Sequence, residues 1–200
     1  MNVFKRVVWV CAAVSLSACG APEESPAQES LGEQDSALTT STFGGCTFTV
    51  SYTTIAPPYP PVYVASLTRQ ASGTCPYPAA TVELGRSYNT PSLNVLGTAV
   101  GLSVGFSIKS GISGSSPTVC LFRHIDPATL GTIREAFVGA NFGAGSVYGC
   151  RLDQTDAGTT LVGYGTKTGA LPGEVGNKPN WVATYVNFFT STTPAVYYTY

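Results

Sequence analysis

The sequence predicts an all-β fold for residues 43–200, an antiparallel sandwich or barrel-like domain with two disulfides, with a small β-propeller as the alternative. Three observations support this prediction. Val, Thr, Tyr and Phe are concentrated in short runs. Most of the 22 glycines separate these runs, and turn signals recur about every 8 to 12 residues, a spacing typical of sandwiches and barrels. A single domain of this length can bury a core of its own.

The predicted strands are short segments in which strand-forming residues are bounded by Gly, Pro, Asn or Asp. In chain order they are 46–54, 62–68, 80–84, 93–100, 102–108, 118–125, 133–138, 147–152, 160–165, 181–189 and 195–200. After residue 125, Asp126-Pro127 is compatible with either a helix start or a hairpin turn. Gly131 and the turn chemistry of Asp-Pro favour the hairpin.

Residues 1–18 are predicted to be a secretory leader. Lys5 and Arg6 precede an apolar run that ends in Leu16-Ser17-Ala18-Cys19, and this run is too short to cross a bilayer. The sequence resembles the lipobox of bacterial lipoproteins. The resemblance implies cleavage before Cys19 and acylation of its thiol, with fatty acids such as palmitate. Gly20, in place of the Asp that retains such proteins at the inner membrane, implies an outer-membrane destination.

Residues 19–42 are predicted to be the lipidated cysteine and a disordered acidic tether. From Gly20 to Thr42 the segment has Pro and acidic residues but no aromatic or basic residue, so it cannot offset the entropy of ordering its backbone. The run ESLGEQDSAL at residues 29–38 resembles the segment that follows the lipobox in uncharacterised proteins of gliding Gram-negative bacteria. That resemblance implies no activity, and the side of the outer membrane on which the domain lies stays open.

Four cysteines remain in the domain, namely Cys46, Cys75, Cys120 and Cys150. In an oxidising compartment an even number of cysteines predicts two disulfides. We favour pairing Cys46 with Cys75 and Cys120 with Cys150, because the two spacings are nearly equal, although three pairings are possible. With no C-x-x-C motif and His124 as the single histidine, neither a metal site nor a cofactor is expected.

The net charge of −1 averages a basic leader, an acidic tether and a nearly neutral domain. No clustered basic face is evident in the domain, so nucleic-acid binding is not expected. The domain draws its polarity mainly from Ser, Thr, Gly, Asn and Tyr. Such a composition suits adaptable contacts with a glycan or with another envelope protein.

Charged residues are concentrated between residues 123 and 156, and His124 lies among them. An imidazole with an orienting carboxylate from Asp126 or Glu135 is the combination required for general acid and base catalysis. The alternative interpretation is a solvated hairpin surface with ordinary ion pairs. Ser103 lies in a G-x-S-x-G sequence. However, the residues after it continue a strand and no acidic residue lies between it and His124, so a hydrolase elbow is not expected.

Aromatic residues of the segment 181–189 suggest a second site. Alternation places Trp181, Tyr185 and Asn187 on one face of a strand. If the valine face of that strand is inside, these three side chains form an exposed platform for a sugar or a peptide. If both faces are covered, they are packing residues.

The sequence thus favours a lipid-anchored cell-envelope protein that displays a non-catalytic binding or structural module. The membrane is contacted through the lipid on Cys19, and the further partner is a glycan or an envelope protein. The alternative is an extracellular hydrolase that uses His124 with a nearby carboxylate. The ligand and the oligomeric state are not determined by the sequence.

Overall fold

The computed structural model of the chain describes residues 39–55, 59–140, 145–191 and 196–200. Its strands form three antiparallel sheets, each made of four consecutive strands. The first sheet contains β1 (Thr39–Phe43), β2 (Cys46–Ile55), β3 (Val62–Gln70) and β4 (Ala80–Ser87). The middle sheet contains β5 (Leu93–Gly97), β6 (Leu102–Lys109), β7 (Thr118–Ile125) and β8 (Thr132–Val138). The third sheet contains β9 (Ser146–Thr155), β10 (Thr160–Thr168), β11 (Asn180–Tyr185) and β12 (Val196–Thr199).

The described chain therefore confirms the all-β antiparallel class. Its one helical element is a short 3-10 turn at Asp156–Gly158. No helix in the described ranges is long and apolar enough to cross a membrane. The predicted leader, Cys19 and the tether up to residue 38 lie outside the described residues.

The middle sheet is covered on both faces, so the molecule is a sandwich of three layers. One core cluster joins the first and middle sheets, and a second joins the middle and third sheets. Strand β7 contributes to both clusters, with Ile125 in the first and Phe122 in the second. Because successive side chains of a strand point to opposite faces, this strand is apolar on both sides.

Strand β6 shows how the sequence permits burial on two sides. Leu102, Val104 and Phe106 alternate with small residues and fill the first core. The small residues include Gly105, where a Cβ would lie 2.7 Å from the carbonyl oxygen of Cys150 in the third sheet. A larger residue at position 105 would therefore push the third sheet away.

Both predicted disulfides are present and have the favoured pairing. Cys46 and Cys75 join the start of β2 to the β3–β4 loop, with Cα atoms 4.4 Å apart. Cys120 and Cys150 join β7 of the middle sheet to β9 of the third, with Cα atoms 5.4 Å apart. One bridge thus lies within the first sheet and its loop, whereas the other links two layers.

All eleven predicted strands correspond to observed strands, several of which differ from the prediction by up to three residues at an end. Two differences are more consequential. Thr39–Phe43 forms β1, so the domain begins no later than Thr39, whereas the sequence placed residues 39–42 in the tether. This segment lacks apolar alternation. It becomes a strand because it pairs with β2, and because the Ser41 hydroxyl accepts a hydrogen bond from the Gly97 N–H at 2.8 Å.

The second boundary is the end of β11. The sequence extended this strand to residue 189, but it ends at Tyr185, and residues 186–189 form a turn. Asn187 has a φ of 54° and its carbonyl oxygen accepts a hydrogen bond from the Thr190 N–H. Asparagine tolerates this left-handed conformation better than most residues. The predicted hairpin at Asp126-Pro127 is confirmed, because the Asp126 N–H donates to the Gly131 carbonyl at 2.9 Å between β7 and β8.

Candidate functional site

His124 and Glu135, two of the candidates for the alternative hydrolase function, lie on opposite faces of the middle sheet. Glu135 is the cross-strand partner of Arg123, and His124 is the partner of Arg134. The Glu135 carboxylate accepts a hydrogen bond from Arg123 Nε at 2.5 Å. Since cross-strand partners share a face and neighbours along a strand do not, Glu135 cannot orient the imidazole of His124.

Arg123 belongs to the contact between the first and middle sheets. Its guanidinium also donates to the Leu84 carbonyl oxygen at 2.5 Å and lies 4.9 Å from the centre of the Phe106 ring. The Arg123–Glu135 pair therefore links β4 to β7 and β8, and its role is to stabilise the fold.

Asp126 is engaged in the β7–β8 turn. Its Oδ1 accepts hydrogen bonds from the backbone N–H groups of Ala128 and Thr129, at 2.8 and 3.4 Å. These bonds, the one from Ala128 above all, outweigh desolvation and lower the pKa of Asp126. A carboxylate used in this way closes the hairpin. The Asp126 carboxylate does not hydrogen-bond to His124. The Nδ1 atom of His124 is buried without a hydrogen-bond partner among the described residues.

His124 lies beneath the turn that follows β11. Its ring meets the Phe189 ring edge-on, with centroids 5.0 Å apart, and Arg134 beside it donates to the Phe188 carbonyl oxygen at 2.6 Å. Burial lowers the pKa of His124, and the positive charge of Arg134 lowers it further, against a weaker opposing effect of Asp126. Burial and Arg134 thus favour the neutral form of the imidazole, which packs against the Phe189 ring.

The structure brings Ser103 next to His124, a neighbour that the sequence did not indicate. The two residues are cross-strand partners in β6 and β7 and so lie on the same face. Ser103 is fully buried, and its hydroxyl donates to the Leu96 carbonyl oxygen at 3.3 Å. Its proton is therefore directed toward the backbone of β5.

The predicted aromatic platform is wrong. Trp181 is 0% exposed and Tyr185 is 4% exposed, and both belong to the core between the middle and third sheets. The Phe122 ring packs between them, 6.2 Å from the Trp181 ring and 5.8 Å from the Tyr185 ring. Asn187 is exposed, but it lies in the turn and not beside them on a strand. The aromatic face is inside because the middle sheet covers it.

A groove of about 720 Å³ opens where three loops of the first and middle sheets meet. The β1–β2 hairpin forms one wall, the β3–β4 loop a second, and the β5–β6 turn the third. The described residues that line it are Thr42, Phe43, Gly44, Gly45, Thr47, Ser72, Thr74, Thr98 and Ala99. None of these nine residues carries a formal charge, five of them bear a hydroxyl group, and the remaining polar groups are those of the backbone.

Two glycines allow the walls of the groove to approach each other. A Cβ at Gly97 would overlap the carbonyl oxygen of Thr42, and one at Gly45 would overlap the carbonyl oxygen of Thr74. Gly45 also has a φ of 77°, which favours glycine. The sequence offered no sign of this groove, because its walls come from three separate parts of the chain.

The hydroxyl groups of the second wall are fixed. Ser72 and Thr74 both donate to the carbonyl oxygen of Gly45, at 3.1 and 2.7 Å. In the β5–β6 turn the Thr98 hydroxyl accepts hydrogen bonds from the N–H groups of Val100 and Gly101, both at 3.1 Å. Within the described ranges, no cluster of three or more His, Cys, Asp or Glu side chains is arranged to hold a metal ion.

Comparison of the chain with known protein families, with curated proteins and with solved structures finds no significant match. The geometry of the chain itself therefore carries the functional argument.

Proposed function

We propose that the protein is a lipid-anchored component of the cell envelope, and that its β domain serves as a non-catalytic binding or structural module. The lipobox that ends at Cys19 supports the anchor and the outer-membrane destination. The proposal of a non-catalytic module rests on one observation: the candidate acid and base residues are engaged in structural contacts, whereas the groove is free of them. His124, Asp126 and Glu135 lie in packing and turn contacts, whereas the groove is open and uncharged.

The anchor is tested with a Cys19→Ser variant of the full chain, expressed in a Gram-negative host that is fed an alkyne-tagged palmitate. We expect the parent protein to incorporate the label and to enter the membrane fraction, and the variant to lose both properties. A Cys11→Ser variant is the matched control, because Cys11 lies within the leader and its loss leaves the lipobox intact. Labelling that persists in Cys19→Ser would contradict the proposal.

The alternative function is an extracellular hydrolase, and one observation favours it, namely the pairing of Ser103 with His124 on one face. The test is turnover of chromogenic esters and glycosides by the parent protein and by His124→Ala. We expect no turnover that depends on His124. Hydrolysis that the variant loses while its circular dichroism spectrum is unchanged would replace the binding module with an enzyme.

A further inference from the structure

We propose that the groove between the β1–β2 hairpin, the β3–β4 loop and the β5–β6 turn is the ligand site of the domain, and that its ligand is a short uncharged oligosaccharide. This inference deepens the proposed binding function and rests on it.

The groove has the size and the chemistry that such a ligand requires. Its volume of about 720 Å³ lies within the range of roughly 300 to 1,000 Å³ that is usual for small-molecule sites. The Ser72 and Thr74 hydroxyls, whose protons are donated to Gly45, still offer acceptor oxygens to a sugar. The Thr42 and Thr47 hydroxyls can serve as donors. Because no lining residue bears a charge, an anionic ligand would lose its hydration without gaining an ion pair.

Phe43 supplies the apolar part of the site. Its ring is half-buried and packs against the core between the first and middle sheets, while the residue also lines the groove. A pyranose ring has one face of C–H groups, which suits contact with an aromatic surface. At Gly44, the next residue, no atom other than those of its chain neighbours lies within 4 Å of the position that a Cβ would occupy, so the tip of the hairpin has open space in that direction.

The walls are held in place before any ligand arrives. The disulfide between Cys46 and Cys75 joins the residues that directly follow Gly45 and Thr74, and the Thr74 hydroxyl donates to the Gly45 carbonyl. The hairpin and the β3–β4 loop are thus linked by a covalent bond and by hydrogen bonds. A preorganised site loses little conformational freedom on binding, which raises affinity for a small polar ligand.

The chain connectivity places the groove away from the anchor point of the domain. Residues 1–38 join β1 at Thr39, whereas the groove lies at the other end of this strand, around Phe43. With about 3.3 Å per residue, β1 separates the two points by roughly 13 Å. The groove therefore lies at the opposite end of β1 from Thr39.

The test uses the full, lipidated chain in a detergent without a sugar headgroup. Binding of cellotriose, maltotriose, mannotriose and fully N-acetylated chitotriose is measured by calorimetry and by saturation-transfer NMR, with trigalacturonate as the charged comparison. Ala99→Trp places a large ring in the groove at an exposed position. Ala79→Trp, exposed in the β3–β4 loop and not in the lining, is its matched control.

We expect at least one neutral trisaccharide to bind and trigalacturonate to bind at least about tenfold more weakly. We expect Ala99→Trp to reduce the affinity by about tenfold or more and Ala79→Trp to leave it unchanged. A milder pair is Thr47→Val, which removes one lining hydroxyl, and Thr53→Val, an exposed position on the same strand outside the groove. The first should weaken binding several-fold and the second should not.

The inference is overturned if none of the four sugars binds, if binding survives Ala99→Trp, or if trigalacturonate binds equally well. Its failure is distinguishable from failure of the proposed function. If no sugar binds but the Cys19→Ser variant leaves the membrane fraction, the groove is not a sugar site, and the proposal of a lipid-anchored envelope protein still stands. Turnover that depends on His124 would instead remove the non-catalytic module, whatever the sugars do.

Discussion

The two cores on either side of the middle sheet differ in composition, although one sheet contributes to both. The core toward the first sheet is largely aliphatic, with two phenylalanines among its fully buried residues, Phe48 and Phe106. The core toward the third sheet contains Phe122, Trp181 and Tyr185, and it adjoins His124. The stability of the aliphatic core therefore depends on the burial of apolar side chains. The stability of the aromatic core also depends on the packing geometry of its rings and on the protonation of the adjoining His124.

The two sides also differ in how they bury a cation. Arg69, 2% exposed, donates to the carbonyl oxygens of Pro78, Pro127 and Ala128, and so connects two loops on the aliphatic side. Lys167 on the aromatic side forms an ion pair with Glu174 at 2.8 Å, with both side chains almost fully buried. Backbone carbonyl groups do not titrate, whereas the Glu174 carboxylate does. Low pH should therefore weaken the Lys167–Glu174 pair before it affects the contacts of Arg69.

The Lys167–Glu174 pair organises the loop between β10 and β11. Lys167 Nζ also donates to the Gly169 carbonyl oxygen, and Glu174 accepts hydrogen bonds from the backbone N–H groups of Leu171 and Lys178. Burial by itself raises the pKa of Glu174. The hydrogen bonds from Lys167 and from the two backbone groups outweigh it and lower the pKa to about 2. This loop places Leu171 in the aromatic core.

The largest expected effect comes from removing the ring at the centre of the aromatic core. Phe122→Ala should reduce the free energy of unfolding by about 3 to 5 kcal/mol, because it leaves a cavity between Trp181 and Tyr185. Chemical denaturation followed by tryptophan fluorescence measures this change. Phe106→Ala in the aliphatic core should cost a similar amount but should leave the near-ultraviolet circular dichroism of the aromatic cluster in place. Equal spectral loss in both variants would show that the cores are not separate.

Breaking the buried ion pair comes next. Glu174→Gln leaves the Lys167 charge buried without its carboxylate, and such a loss costs about 3 kcal/mol or more of the free energy of unfolding. Glu83→Gln is the control, because Glu83 pairs with Arg86 at an exposed site, where ion pairs contribute little. Urea denaturation of the two variants should show a large loss only for Glu174→Gln. Equal midpoints would mean that the loop is held by its backbone contacts alone.

The two disulfides allow a link within one sheet to be compared with a link between two sheets. Removing either bridge opens a loop of similar length, for which the chain-entropy term is roughly 3 to 4 kcal/mol. Replacing Cys120 and Cys150 by Ser should also loosen the third sheet, since that bridge joins two layers. Replacing Cys46 and Cys75 by Ser should instead act at the groove. Hydrogen exchange, read strand by strand, measures where protection is lost; identical patterns for the two variants would contradict this assignment.

The smallest expected effect is a dependence of stability on pH through His124. Its pKa in the folded protein lies below the ordinary value of 6.5, so below pH 6.5 the unfolded state binds the proton more readily. Stability is therefore full above pH 6.5 and falls as the pH is lowered below it. Thermal unfolding between pH 7.5 and 5 measures the fall, at about 2 to 4 °C in Tm per kcal/mol.

His124→Gln should flatten this part of the profile. A second loss is expected below pH 4.5, because the unfolded state then protonates Glu174 while the folded state keeps it ionised down to a pKa of about 2. Extending the scan to about pH 2.5 measures this loss. A Glu174→Gln variant should reduce the lower part, where Asp126 also contributes because its pKa is lowered, and should keep the upper part. A profile that is unchanged in His124→Gln would show that other groups control stability near neutral pH.

Much of the fold depends on interactions between residues close together in the chain, and these features could be predicted from the sequence. Alternation in β6 sets large apolar residues against small ones, which already describes a strand covered closely on two sides. The even number of cysteines predicted two disulfides, and their spacing favoured the pairing that the structure shows, although two other pairings stayed possible. The hairpin at Asp126 was predictable because its hydrogen bonds connect residues only a few positions apart.

The candidate sites depended on the tertiary structure. Alternation separated Trp181 and Tyr185 from the valines of their strand, but the face that is buried depends on the middle sheet, which comes from another part of the chain. The pairing of Ser103 with His124 depends on the register between β6 and β7. The groove joins three loops, which only sheet stacking brings together. Sequence by itself indicated eleven of the twelve strands in the described residues and favoured the disulfide pairing that the structure shows, and it predicts a lipid anchor, because these follow from short-range patterns. Tertiary structure decided which faces are buried and where a ligand can bind, because those depend on contacts between residues far apart in the chain.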